Sequence, residues 1–249
     1  MDYIIGVCSY DMQLGPLIER KLEFAHHEGV VMLGEAEGRA VVSAETHAAV
    51  YMLAGILADI MAENMQMRYV SEMIRRRYAH ICSRDGCDLL TDTLGRLWTG
   101  ERGADWRRQR MQDKLALCMY ESKNGVIMLD GILRFRLKDE VMRWEKCLAE
   151  AYEAMCRRKE RDDLIGILRY FVGMQEPAVE AVVIAKSKER YVIADISGRI
   201  IDECAGGESN ADELLSRLIE LAPASVDTSL MEQGELRDII EMVFVERNK

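Results

Sequence analysis

The sequence predicts an α+β protein, with a predominantly helical central bundle and small sheet-containing units at its N- and C-terminal ends. Strand-like alternation of apolar and polar residues is concentrated in residues 1–44 and 178–249, and apolar residues recur at helical spacing between them. Apolar residues make up 49% and charged residues 31% of the 249, which is typical of a folded chain. The predicted domains are therefore 1–44, 45–177 and 178–249.

Residues 1–44 are predicted to form strand, helix, strand and strand. The first strand is "YIIGVCS" at 3–9, and an amphipathic helix follows through "LIERKLEFA". The segments "VVMLGEA" and "RAVVSA" flank Gly38 as a hairpin. A lone hairpin is barely stable in water, so this small α+β unit needs helices against one side of its sheet.

Residues 45–177 are predicted to be a helical domain. Ser43 is the predicted N-cap of its first helix, whose apolar stripe includes Val50, Leu53 and Leu57. Gly and Asp residues predict breaks at 84–88 and 99–105. The segments "LLTDTLGRLW" and "RRQRMQDKLALCMYES" both have helical spacing, so a helical bundle is expected.

The segment 124–177 begins with a turn at "NG", followed by a short extended piece at 126–129. The stretch "GILRFRLKD" at 131–139 alternates apolar and basic residues, which predicts a half-buried strand with Phe135 and Leu137 facing the core. A long helix is expected next, with a further helix through "DDLIGILRYFVG" that ends near Gly173 and Pro177. The apolar stripe of the first, long helix runs through Leu137, Val141, Trp144, Leu148, Ala151 and Met155.

Residues 178–249 are predicted to be a second α+β unit. "AVVIAKSKERYVIADISGRIIDE" contains three β-rich runs and predicts a β-meander. A helix capped by Ser209 follows and is closed by Pro223. A strand at "ASVDTS", a helix at "GELRDIIEMVF" and a final strand at "FVERN" complete the prediction.

The motifs of common enzymes and cofactor proteins are missing from the sequence. It contains no dinucleotide fingerprint, P-loop, HExxH or EF-hand loop, so no cofactor and no catalytic residue is predicted. Metal binding through "HICSRDGC" at 80–87 is disfavoured because no second Cys or His pair follows at a zinc-ribbon distance. His26 and His27 are interpreted as surface or interface residues.

Charge and apolar runs predict a cytoplasmic protein without a membrane span. The net charge of −10 makes nucleic-acid binding unlikely, and the basic clusters at 75–78, 107–110 and 157–161 are interpreted as solvated helix faces. The run at 48–58 is about half the roughly 20 apolar residues that a spanning helix needs. Seven scattered cysteines favour a reducing compartment, and the first residues lack the pattern of an export signal.

Two long motifs, "GILRFRLKDEV" at 131–141 and "GILRYFVGMQEP" at 166–177, give the chain a family resemblance. In about its latter half the sequence resembles the YtxC family of sporulation proteins from endospore-forming bacteria. It departs from the family pattern at Glu140, where an aromatic residue is usual. The resemblance implies a cytoplasmic, sporulation-associated protein, and it carries over no catalytic residues.

The resemblance favours a non-enzymatic interaction or regulatory protein with an unidentified protein partner. The alternative is an enzyme or a small-ligand sensor with an unrecognised site. A further hypothesis is that Arg136 binds Gln175 or Glu176 and locks the end of a helical hairpin. The motif residues given a structural or interaction role are Arg134, Phe135, Arg136, Lys138, Asp139, Tyr170, Phe171, Gln175, Glu176 and Pro177.

Overall fold

The structure is a computed structural model that describes residues 1–8, 12–24, 29–99, 103–187, 190–205 and 211–244. The helices are α1 (Leu14–Phe24), α2 (His47–Ile60), α3 (Gln66–Arg77), α4 (Ser83–Thr99), α5 (Gly103–Glu121), α6 (Leu129–Phe135), α7 (Lys138–Met174), α8 (Ala211–Leu221) and α9 (Glu235–Phe244). The strands are β1 (Asp2–Gly6), β2 (Val30–Ala36), β3 (Arg39–Ala44), β4 (Val126–Met128), β5 (Val179–Ser187), β6 (Arg190–Asp195), β7 (Ile200–Ala205) and β8 (Pro223–Leu230). The predicted α+β class with a helical centre is confirmed.

The chain divides into two compact units, Met1–Met155 and Cys156–Lys249. The first contains a sheet of order β2-β3-β1-β4, in which β1 pairs antiparallel with β3 and parallel with β4. Strand β4 comes from the segment assigned by sequence to the helical domain. The sheet and the helices share one hydrophobic core, so this division differs from the three domains 1–44, 45–177 and 178–249.

The central helix of the first unit is α2, which continues through a π-helical turn at Met61–Met65 into α3. Its N-cap is Thr46, whose side chain accepts a hydrogen bond from the Ala49 N–H at 3.1 Å. The predicted cap, Ser43, is wrong because this residue lies in β3. His47–Arg77 includes an 18-residue stretch with a mean hydropathy of 1.3, and 61% of that stretch is buried inside the protein, as in a core helix.

Two predicted boundaries are wrong. The break expected at 84–88 lies inside α4, and the chain turns just before it, between Tyr78 and Ser83. The strand expected at 131–139 is instead the end of α6 and the start of α7. Leu129, Ile132 and Leu133 have helical spacing, and a helix buries all three on one side of α6. This burial outweighs the strand-like alternation of apolar and basic residues. Leu137 is buried as predicted, whereas Phe135 is 74% exposed.

Helix α7 is one continuous helix where the sequence predicted two. The stripe predicted for its first half is confirmed, since Trp144, Leu148 and Ala151 are almost completely buried. Because no turn interrupts residues 138–174, there is no helical hairpin for Arg136 to lock. The lock hypothesis is therefore wrong, and Arg136 instead pairs with Glu121 at 3.4 Å.

The second unit contains a sheet of order β7-β6-β5-β8. Strands β5, β6 and β7 form the predicted antiparallel meander, and β8 runs parallel to β5. The core of this unit joins Ile165 and Val172 of α7 to Ile184, Leu218 and Phe244. The predicted cap Ser209, the histidines at 26–27 and the final strand beyond Phe244 lie outside the described residues.

Candidate functional site

The first family motif forms the corner between α6 and α7. The N–H groups of Arg136 and Leu137 both donate to the carbonyl of Ile132, at 2.8 and 3.0 Å, and these bonds close the end of α6. Leu137 anchors the corner in the core. The basic residues beside it therefore point away from the core, and they divide between two sides of the corner.

On one side of the corner lies a large groove of about 1050 Å³, which we call the cationic cleft. Helix α3 forms one wall, and α6 with the start of α7 forms the other. Two motif residues, Arg134 and Lys138, face α3 across it. Five cationic side chains line the cleft, together with the carboxylates of Glu72 and Asp130: Arg68, Arg75, Arg76, Arg134 and Lys138.

Side-chain contacts between α3 and α7 fix the walls of the cationic cleft. The hydroxyl of Tyr69 donates to Glu145 at 2.8 Å, and its ring packs edge-on against Trp144 with centroids 5.6 Å apart. Trp144 is only 1% exposed. Glu145 also pairs with Arg77 at 3.4 Å. These contacts tie α3 to α7, the helices that form the two walls.

On the other side of the corner, motif residues make structural contacts. The ammonium group of Lys114 donates to the carbonyl of Arg136 at 3.0 Å and to Asp139 at 2.9 Å. Asp139 also pairs with Arg110. Although burial raises the pKa of Asp139, its hydrogen bond to Lys114 and the charges of Lys114 and Arg110 lower this pKa overall. Asp139 lies in the first turn of α7, where its negative charge is favourable.

Glu140 is the polar residue of the motif that is buried, with 3% exposure. It lies beside a small cavity of about 170 Å³ that is also lined by Gln66 and Arg107, both buried. Burial raises the pKa of Glu140, while the charges of Arg143 and Arg107 oppose this rise. Sequence reasoning missed both residues as site residues. A single glutamine in a helical segment, Gln66, gives no sign of burial, and Arg107 belongs to the basic cluster at 107–110, which was interpreted as a solvated helix face.

We expect Glu140→Gln to change how stability depends on pH. Burial raises the pKa of Glu140 above its ordinary value of 4.5, so the folded protein retains this proton to a higher pH than the unfolded chain. The stability that this group contributes is present below pH 4.5 and is lost as the pH rises through the folded pKa. Glutamine does not titrate, so the variant should gain unfolding free energy relative to the original protein as the pH rises above 4.5. Urea unfolding at a series of pH values measures the difference, and a difference that falls with pH would contradict the expectation.

The second family motif places an apolar surface on α7 in the second unit. Ile165 and Val172 point into the core of that unit, but the residues between and around them continue the apolar pattern on the outer side. These side chains are 55% to 72% exposed and fall within about 120° of arc at 100° per residue. We call this surface the α7 apolar face: Leu164, Ile167, Tyr170, Phe171 and Met174.

The remaining motif residues end the helix. Gln175 closes the last turn, since its N–H donates to the carbonyl of Val172 at 3.3 Å. Glu176 and Pro177 follow in the exposed connection to β5. The guanidinium group of Arg169 donates twice to the carbonyl of Met242, at 2.9 and 2.7 Å, so this positive charge is turned towards α9 and away from the α7 apolar face.

The histidine considered for metal chemistry, His80, lies in an aromatic cluster. In the described part of the chain, no three His, Cys, Asp or Glu side chains gather as metal ligands would. His80 lies 3.0 Å from the hydroxyl of Tyr152, whose ring stacks on Tyr78 with centroids 4.1 Å apart. The segment "HICSRDGC" therefore contributes to an aromatic cluster.

The basic clusters at 75–78 and 107–110 have different surroundings. Arg75 and Arg76 line the cationic cleft, and both pair with Glu72. In the other cluster Arg107 is buried, and Arg108 pairs with Asp59. The two clusters therefore lie at different sites of the first unit.

Comparison with models of protein families gives a match over most of the chain. The model of the YtxC-like family matches residues 51–249, which include both motifs, the cationic cleft and the α7 apolar face. The strands β1, β2 and β3 lie before the matched region. No curated protein matches the chain, and no solved structure matches it.

Proposed function

This chain belongs to the YtxC-like family, and on that basis we propose that it is a cytoplasmic, sporulation-associated protein that acts by binding a protein partner. The observation that carries the proposal is the α7 apolar face. Its five side chains are exposed although the opposite side of the same helix already supplies the core of the second unit. A helix that is apolar on both sides has a second surface suited to burial.

The size of the α7 apolar face supports a protein interaction. At the observed exposures its side chains present roughly 600–700 Å² of apolar surface. Exposed patches above a few hundred Å² are typical of interaction sites, and a stable interface buries about 800 Å² on each partner. Tyr170 and Phe171 are aromatic residues, a class that is enriched at protein interfaces. The area of the α7 apolar face is thus close to one partner's share of a stable interface, and its residue composition is suited to binding a protein.

Affinity purification tests this function. The tagged protein is captured from sporulating cells and from a matched vegetative culture, and the bound proteins are identified by mass spectrometry. We expect a protein partner that is enriched in the sporulating sample. Repeated captures with no specific partner, or with the same partners in both cultures, would contradict the proposal.

A further inference from the structure

We propose that the cationic cleft binds a small molecule that carries a di- or triphosphate group, a nucleotide being the chemical class that fits best. This ligand site is distinct from the surface proposed for partner binding, because the cationic cleft lies wholly in the first unit and the α7 apolar face belongs to the second. The size, the charge, the type of cation and the apolar lining of the cleft support this assignment.

The size of the cleft suits a ligand of this class. Its volume of about 1050 Å³ is just above the range of roughly 300–1,000 Å³ for small-molecule pockets, so the cleft has room for a whole ligand of this class. The walls come from three helical segments, so a bound molecule would contact α3, α6 and α7 together. Because the walls enclose a ligand on two sides, the cleft suits a small molecule better than a polymer, which would lie across an open surface.

The charge of the cleft is opposite to that of the whole chain. Five cationic side chains and two carboxylates line it, an excess of three positive charges in a protein whose net charge is −10. Clustered charges of one sign focus the electric field within a cleft. A di- or triphosphate carries about three negative charges or more near neutral pH, which matches this excess.

The type of cation favours phosphate. Four of the five are arginines, whose planar guanidinium groups bind phosphate oxygens in pairs. Glu72 holds two of them together, since it pairs with Arg75 and accepts from Arg76 at 2.5 Å. Arg134 and Lys138 face them from the opposite wall. A phosphate chain between the walls would therefore meet donors on both sides.

The rest of the lining suits an apolar or planar group. Met67, Met73 and Met142 contribute flexible, polarisable thioethers that adapt to a ring. The ring of Tyr69 is fixed by Trp144 and Glu145. Free phosphate would make no use of these side chains, whereas the base and sugar of a nucleotide would.

The π-helical turn at Met61–Met65 positions the cationic wall. It adds a residue to one turn of the helix directly before α3 and so rotates every later side chain about the helix axis. After this rotation Val70 and Ile74 remain in the core, while Arg68 and Arg75 line the cleft. Turns of this type occur often at functional sites.

Isothermal titration calorimetry on the full chain tests the proposal, with adenosine triphosphate, inorganic triphosphate and adenosine as probes. We expect saturable binding of adenosine triphosphate with a Kd below about 1 mM and no binding of adenosine. Arg134→Gln should raise the Kd about tenfold or more, since it removes charge-assisted hydrogen bonds. Arg136→Gln is the matched control, because this exposed arginine of the same motif lies outside the cleft, and its Kd should stay within about twofold.

Thermal unfolding of both variants checks their folding, and Lys138→Gln replaces Arg134→Gln if the latter proves unstable. Absence of binding by the unaltered protein, or equal losses in Arg134→Gln and Arg136→Gln, would overturn the proposal. Tighter binding of inorganic triphosphate than of adenosine triphosphate would overturn the assignment to nucleotides. Binding only to phosphatidylglycerol vesicles or to a single-stranded oligonucleotide would overturn it as well.

Discussion

The double variant Ile167→Asp and Phe171→Asp is expected to lose at least 99% of its affinity for the protein partner. Each substitution places a carboxylate in the middle of the α7 apolar face, where partner binding would remove water from it. Truncating a central aromatic residue of an interface costs about 2 kcal/mol or more, and each 1.4 kcal/mol is about tenfold in Kd. Titration of the captured partner against the original protein and the variant measures the loss.

The fold of the double variant should be unaffected. Both side chains are more than half exposed, so unfolding free energies should agree within about 1 kcal/mol. Phe135→Asp is the matched control, because Phe135 is also an exposed phenylalanine of a family motif but lies in the first unit. It should bind as the original protein does. Equal loss of binding in the control, or a large fall in stability in the double variant, would contradict the role of the α7 apolar face.

Gly125→Val is expected to destabilise the first unit by about 3 kcal/mol or more. Gly125 has a φ of +63°, and a Cβ at this position would lie 2.3 Å from the carbonyl oxygen of Asp2. A backbone atom of the neighbouring strand cannot move aside without breaking the sheet. The Ile4 N–H also donates to the carbonyl of Gly125 at 2.8 Å, so the substitution disrupts the pairing of β1 with β4 at its start. Urea unfolding measures the change in free energy.

Gly95→Ala provides the control for this substitution. Gly95 lies in α4 with no atom near the position of an added Cβ, and alanine is the better helix former by about 1 kcal/mol. This variant should be as stable as the original protein or slightly more so. If Gly125→Val were equally stable, the pairing of β4 with β1 would be wrong, and with it the single core of the first unit.

Local patterns were predicted well from the sequence, whereas pairing between distant segments was not. The hairpin of β2 and β3 and the meander of β5 to β7 follow from alternation and turn residues within about 30 residues of chain. Strand β4 has three residues, and its parallel partner β1 lies about 120 residues earlier, so nothing local indicates the pairing. The segment 131–139 was misassigned because it fits both a strand and a helix, and only the buried positions in α6 decide between them.

The candidate sites were partly predictable. Arg134 and Lys138 were singled out by their motif, but their opposite wall on α3 lies more than 50 residues earlier and is found only in the structure. The α7 apolar face was not predicted, because Leu164 and Phe171 have the same helical spacing as the buried Ile165 and Val172. A helix that is apolar on both sides gives no sequence signal for which side is buried in its own unit.

The most direct test of the central claim is a quantitative comparison of captures from one sporulating culture. The original protein, the Ile167→Asp and Phe171→Asp double variant, and the Phe135→Asp control are expressed at equal levels, and the recovered partner is quantified by mass spectrometry. We expect the control to recover as much partner as the original protein and the double variant to recover little or none. Equal recovery by all three proteins would show that the partner binds elsewhere and would contradict the assignment of the α7 apolar face.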